Sequence, residues 1–381
     1  MLGAILGAII GSGTADWLGR KSAVAITAVV FLLSALLMAS ASTEETRILF
    51  FAGRIGTGWC VGAGGVASNA LLAETAPLAH RSQLLQMSEV MLCVGCLLAV
   101  LAANLLGDTN WRITVLLLAL LSTIQLFGIT LLLHESPPWL LSRGRRKEAR
   151  ASALALGIDP PEQDQPAEPA LSTTKSSRIM ADVRLHKRPL AIALGCAVSH
   201  GILAANAVLY YSRDILQMAG VRSPLAVALL IGLVKLLGVL VALLSIKRVG
   251  KRNLLLLGTC GTILGHLGLA LALSVDQGAL RALGCGDKLP AEALALFSML
   301  LFIFAWDASW AGLMYVVSAT VLPQRVRAFG LGLVAAVYWL LCFVANQTLE
   351  GLLLRLGASG LFGWLAALGT LALAFVWRFV P

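Results

Sequence analysis

Residues 22–41 read SAVAITAVVFLLSALLMASA, twenty consecutive positions without a charge. At 1.5 Å of rise per residue, a helix of that length covers about 30 Å, the thickness of a bilayer's hydrocarbon core. The stretch follows DWLGRK at 16–21, where a carboxylate, a glycine and two cations make a turn suited to the membrane surface. Working outward, comparable spans fall at Met1–Ala15, Ser22–Ala41, Ile48–Ala73, Gln83–Gly107 and Trp111–His134. After a long polar segment come Pro189–Gly220, Pro224–Ile246, Asn253–Val275, Ala291–Val321, Arg327–Leu349 and Gly360–Val380. Backbone amides find no partners in lipid except inside a helix or a closed barrel. The expected fold is therefore an all-α, polytopic membrane protein with about eleven transmembrane helices, the first of them short for a full span.

The whole-chain composition agrees. Of 381 residues, 59% are hydrophobic and 13% charged, more apolar surface than one water-soluble core could hide. The net charge of +10 resolves once the cations are placed. With alternating loops, twenty of the 29 basic residues fall on one face, ten of them in the central loop and four in the 247–252 cluster. Cytoplasmic loops collect Lys and Arg, so that face is cytoplasmic and no nucleic-acid partner is needed. Cys60, Cys93, Cys96, Cys196, Cys260 and Cys342 lie in apolar stretches and Cys285 in a polar loop, with neither a disulfide framework nor metal spacing. No cofactor is implied. With no separate leader ahead of it, the first span is expected to serve as its own insertion signal.

Residues 135–188 divide the chain into an N-terminal helical bundle, 1–134, and a C-terminal one, 189–381. The dividing loop contains the Pro-rich, acidic run from Asp159, with a short surface helix expected at 145–157. The two halves echo one another. DWLGRK (16–21) is matched by KRVGKR (247–252), and ETAPLAHR (74–81) by TVLPQRVR (320–327). Paired half-repeats of this kind belong to transporters that expose a midplane site alternately to each side.

These residues resemble the major facilitator superfamily and, within it, the sugar porter family. Asp16 to Lys21 is similar to the loop between that family's second and third helices. Gly53, Arg54, Gly58, Gly62, Glu74, Pro77 and Arg81 reproduce its fourth-helix pattern. ESPPWLL (135–141) resembles its PESPRWL motif, NAVLYYS (206–212) its seventh-helix signature, and Trp310 with PQRVR (323–327) its tenth helix and following loop. The resemblance implies that the family's first helix has no counterpart here.

Six ionisable residues lie inside spans: Arg54, Glu89, His200, Lys235, His266 and Asp307. Each costs about 2.5–3.5 kcal/mol at mid-helix, which makes such residues functional candidates by default. The resemblance sorts them. Glu89 takes the place of a sugar-contacting Gln, His200 that of another, and Lys235 that of an Asn. Asp307 stands where some members have a sugar-binding Glu. Asn206 is retained, while Tyr315 and Trp339 complete the implied substrate-binding set. Sugar hydroxyls are usually met by neutral amides, so Glu89 and Lys235 are a departure. Either they neutralise one another, or Lys235 receives an anionic group while Glu89 or Asp307 takes up a proton. His266 is expected to be structural, and Tyr210 and Tyr211 to line an external gate or to pack.

Asp16, Arg20, Lys21, Arg54, Glu74, Arg81, Arg325 and Arg327 form the expected gating set, with Arg54 pairing with a cytoplasmic-side carboxylate such as Glu74. Lys247 and Thr320 stand where the second half would carry Asp and Glu, which predicts a bias toward inward-facing states. The function expected is alternating-access transport of a small polar solute, a sugar or polyol, by uniport or proton symport. An organic-acid or other charged-metabolite carrier of the same fold is the alternative, and a transport-inactive solute sensor or a truncated fragment the next. An enzyme is excluded by the lack of a nucleophile–base pair, phosphate loop or metal constellation in the sequence.

Overall fold

The computed structural model describes residues 1–41, 44–107, 110–159, 185–203, 209, 212, 223–274 and 289–381; the side chains of 224, 289–292 and 325 lie outside that description. Within it the elements are helical: α1 (Leu2–Leu18), α2 (Arg20–Ser40), α3 (Arg47–Thr75), α4 (Arg81–Leu106), α5 (Trp111–Leu132), α6 (Pro137–Ser142) and α7 (Arg146–Ala155). They continue with α8 (Lys187–Ile202), α9 (Pro224–Val249), α10 (Lys251–Ser274), α11 (Leu289–Asp307), α12 (Trp310–Val321) and α13 (Gln324–Phe379). Helix α13 is 56 residues long and interrupted at Gly357, φ +70, inside the gap predicted between the last two spans. Among the described residues, seven helical stretches are long and apolar enough to cross a membrane. The 17-residue α1 is shorter, and the 29-residue α3 carries Arg54 and Asn69 among its apolar residues and glycines.

The chain packs as two compact units that interleave along the sequence. One comprises Met1–Leu85, Leu105–Leu194 and Tyr315–Leu340; the other, Gln86–Asn104, Gly195–Met314 and Leu341–Pro381.

In the first unit, α1 and α3 approach through small residues. A Cβ on Gly62 would stand 2.0 Å from the Ala4 carbonyl oxygen, and Ala8, Ala63 and Val66 are buried alongside. Close backbone approach of this kind is how helices gain contact where lipid supplies no hydrophobic drive. Ala15, Ala23, Val24, Ala28, Ala67 and Ile129 form a core joining α1, α2, α3 and α5. On α5, Leu116, Leu120, Ile124, Phe127 and Leu131 stay exposed, the face that lipid would cover.

In the second unit, Val90 and Cys93 of α4 pack against Val239, Leu236 and Leu243 of α9. Trp310 Nε1 donates to Thr259 Oγ1 at 2.9 Å, tying α12 to α10. His266 is fully buried, its ring 4.5 Å from that of Phe302 and 6.2 Å from that of Phe362.

Candidate functional site

Three of the charged residues singled out in the sequence converge in the second unit. Lys235 Nζ lies 3.6 Å from Asp307 Oδ1, with 16% and 1% of the two side chains exposed. The packing of α9 on α11 sets this distance: one turn beyond Lys235, a Cβ on Gly238 would stand 2.7 Å from the Phe304 carbonyl and 3.0 Å from Asp307 Cβ. Lys235 Nζ also sits 5.6 Å from the centroid of the Trp306 ring, within cation–π range. From α4, a Glu89 carboxylate oxygen, the Cys93 thiol and an Asp307 carboxylate oxygen all lie within 4.8 Å of one another. The 3.6 Å separation is beyond ordinary hydrogen-bond length. Asp307 Oδ1 is buried and accepts no hydrogen bond from the described residues.

Asp307 ends α11, and the chain resumes as α12 only at Trp310. Ser309 N bonds to the Trp306 carbonyl three residues back (3.2 Å), while Ser309 Oγ takes the Ala305 carbonyl at 2.7 Å. A side chain bonding back into the ladder and a tightened turn are recognised causes of a local break. His200 of α8 closes on this point. Its Nδ1 is 3.1 Å from the Trp310 carbonyl oxygen, and its ring meets that of Trp306 edge-on at 4.9 Å. Gln86, one turn before Glu89 on α4, is fully buried, and neither of its amide atoms is hydrogen-bonded among the described residues. Its Oε1 lies so near Gly312 that a Cβ there would be only 2.1 Å away.

The first unit holds a second polar assembly, where the α1–α2 turn meets α6. Arg20 Nη2 lies 3.0 Å from Glu74 Oε1 and 3.2 Å from Asp16 Oδ1. Glu74 also accepts from the Ser136 hydroxyl. Glu135 receives the backbone N–H of Arg20 at 2.9 Å and of Lys21 at 3.1 Å, so a carboxylate caps the positive end of α2. At the negative end of α1, Trp139 Nε1 and Arg143 Nη2 donate to the Asp16 carbonyl at 2.9 and 2.7 Å. Gly19 must make the turn between them. Its φ is +103 with ψ 160, and a Cβ would stand 2.2 Å from Glu135 Oε2.

This fold and these contacts can now be set beside known proteins. The profile of the family described as "Sugar (and other) transporter" matches residues 1–381. The chain belongs to that family. It is similar to the putative metabolite transport protein YncC of Bacillus subtilis (strain 168), with 29% identity covering 100% of this chain and 81% of the relative. The major myo-inositol transporter IolT of the same organism is 26% identical, again covering 100% and 81%. Among solved structures, the proton:xylose symporter XylE of the major facilitator superfamily, bound to 6-bromo-6-deoxy-D-glucose, superposes with a TM-score of 0.78. That match has 22% identity and covers 100% of this chain and 84% of XylE, which shows the shared fold. The protein is an integral, multi-pass membrane transporter and not an enzyme.

Seen as a sugar (and other) transporter, the chain departs from one expectation. Arg54 does not pair with Glu74. Both lie on α3, twenty residues apart, so the helix holds them about 30 Å from each other. Glu74 is taken instead by Arg20 and Ser136, while Arg54 is exposed and has no ion pair among the described residues. Tyr315 and Trp339 are both half-buried. Asn206, Tyr210, Tyr211 and Cys285 lie outside the described residues, as does the Arg325 side chain. Lys21 Nζ reaches the Thr130 carbonyl at 3.4 Å. Arg81 Nη2 reaches the Ala76 carbonyl at 3.5 Å and Arg327 Nε that of Leu322 at 3.3 Å, so both brace their own loops.

Sequence reasoning missed Glu135 as a capping group, although its motif was legible. It also missed Gln86, Cys93 and Trp306 as neighbours of the charged cluster. For Gln86, the position one turn before Glu89 on the same face was the available signal.

Proposed function

We propose that this transporter carries a sugar or polyol across the membrane by alternating access, the 1–134 and 189–381 halves moving about a site that includes Glu89, Lys235, Asp307 and His200. The observation that carries this reading is the family match over residues 1–381. The printed names of relatives support the substrate class: IolT is a myo-inositol transporter, and XylE a xylose symporter. Asn206, Tyr315 and Trp339 are assigned to the substrate path on the family resemblance. Asp16, Arg20, Lys21, Glu74, Arg81, Arg325 and Arg327 are assigned to the cytoplasmic gate, where breaking and remaking ion pairs would switch the halves between two states. Arg54 stays in the gating set without the Glu74 partner. Uniport and proton symport both remain within this reading.

An organic-anion carrier is disfavoured by one distance. Such a carrier needs Lys235 to hold its charge for the solute, and Asp307 stands 3.6 Å from that ammonium.

Counterflow in proteoliposomes tests the reading. Vesicles loaded with unlabelled myo-inositol or D-glucose should accumulate the same labelled solute transiently and saturably. Counterflow no greater than in protein-free liposomes for every sugar and polyol offered contradicts it.

A further inference from the structure

The charged cluster does not balance. Around Lys235 stand two carboxylates, Glu89 and Asp307, with their oxygens within 4.8 Å of each other, and a single ammonium 3.6 Å from one of them. No other cation pairs with either carboxylate among the described residues. One negative charge is left over in a largely buried place, an expensive arrangement unless something positive arrives. Further polar atoms nearby in the chain are left open. Asp307 Oδ1 is buried without a hydrogen-bond donor, and so are both amide atoms of Gln86 on the Glu89 face of α4. The helical path tightens here: a two-residue turn follows Asp307, and Ala308 and Ser309 donate to the Phe304, Ala305 and Trp306 carbonyls just before it. A divalent ion would overshoot the count, because the two carboxylates already answer Lys235 and leave room for one further positive charge. Cys93 completes the group as a neutral, polarisable wall.

Resting on the transport reading above, we propose that this cluster is a subsite for one positive charge carried by the solute: the transported sugar or polyol bears an ammonium group. The ammonium docks between Glu89 and Asp307, and its three N–H donors satisfy the oxygens that are open there. Gln86, which both donates and accepts, offers its amide to a neighbouring hydroxyl. Lys235 stays paired with Asp307 and over Trp306. It repels a second cation and limits the site to a single charge.

The test uses the full chain in proteoliposomes at pH 6.5, with labelled D-glucosamine, D-glucose and N-acetyl-D-glucosamine. The last keeps the nitrogen but loses the charge. The expected result is that glucosamine is taken up in preference to both neutral sugars by about tenfold or more, the scale of one desolvated charge pair. Glu89→Gln should collapse that preference, and Glu89→Asp, which keeps the carboxylate, should restore part of it. Size-exclusion profiles of each variant show whether it is folded. Glucose uptake with no preference for glucosamine overturns this inference and leaves the transport reading standing. Glucose uptake driven by an inward proton gradient, and losing that drive in Glu89→Gln, also overturns it, since the missing charge is then a proton. Uptake of none of the three overturns this inference, and overturns the transport reading as well when myo-inositol counterflow is also absent.

Discussion

Glu135 Oε1 accepts the backbone N–H of Arg20 at 2.9 Å, across 115 residues of sequence. A carboxylate from the start of the central loop thereby closes the N-terminus of α2, while Arg143, eight residues on, closes the C-terminus of α1. The α1–α2 turn is gripped at both helix ends by groups of the complementary sign.

Gly19, within that grip, should not tolerate a side chain. Its dihedrals belong to a region almost exclusive to glycine, where another residue costs roughly 1–3 kcal/mol, and its Cβ would strike the Glu135 carboxylate. Gly19→Ala should lower the melting temperature of the purified protein more than Glu135→Gln, which removes a charge and keeps an acceptor. A thiol-reactive melting assay in detergent reads the order.

Glu74 and Asp16 share Arg20 unequally. Glu74 is 1% exposed at its side chain and Asp16 48%. Glu74→Gln should therefore leave the buried Arg20 guanidinium with only the half-exposed Asp16 carboxylate, at a cost of about 3 kcal/mol. Asp16→Asn should cost no more than about 1 kcal/mol, because water screens that pair. Comparable melting shifts for the two variants would refute this division of labour.

The surface helix α7 should respond to acid. Arg145 Nε donates to Glu148 Oε1 at 2.7 Å, and that bond holds the Glu148 carboxyl below the usual glutamate range. A lowered folded-state value means the contribution is fully present above the ordinary glutamate pKa and disappears as pH falls through the lowered one. Limited proteolysis of the 143–157 segment should accelerate in that acid window, and Glu148→Gln should show the faster cleavage already at neutral pH.

On the proposed gating, Lys247 and Thr320, standing where the family resemblance implies Asp and Glu, bring no carboxylate to a cytoplasmic latch. A resting bias toward the inward-facing state is expected. Cys93 is buried at rest, so as the sole cysteine it reacts with a membrane-impermeant maleimide only when the site opens, and labelling should be faster from the cytoplasmic side in sealed, oriented vesicles. Faster labelling from the outside would reverse the assignment.

Much of this was legible in the sequence, for definable reasons. Hydrocarbon thickness fixes span length, so α2, α4, α5, α9 and α10 follow their predicted stretches closely. Glu89, Lys235 and Asp307 stood out because charge at mid-span is costly. Their convergence was not readable, since it depends on Gly238 admitting α11 against α9. Cys93 joins them through space, four residues from Glu89 but more than two hundred from Asp307, and forms no linear motif. The Arg54–Glu74 pairing failed on simple rise along one helix.

The central claim is that the paired ions of α9 and α11 handle the solute. A double-mutant cycle on Lys235→Met and Asp307→Asn, read as counterflow rate per folded transporter in proteoliposomes, tests it most directly. Each single variant strands one charge, so each should lose about tenfold or more. The double variant should lose clearly less than the product of the two, a coupling of about 1–3 kcal/mol. If both single variants carry sugar or polyol at the wild-type rate, the pair has no part in transport and the account is contradicted.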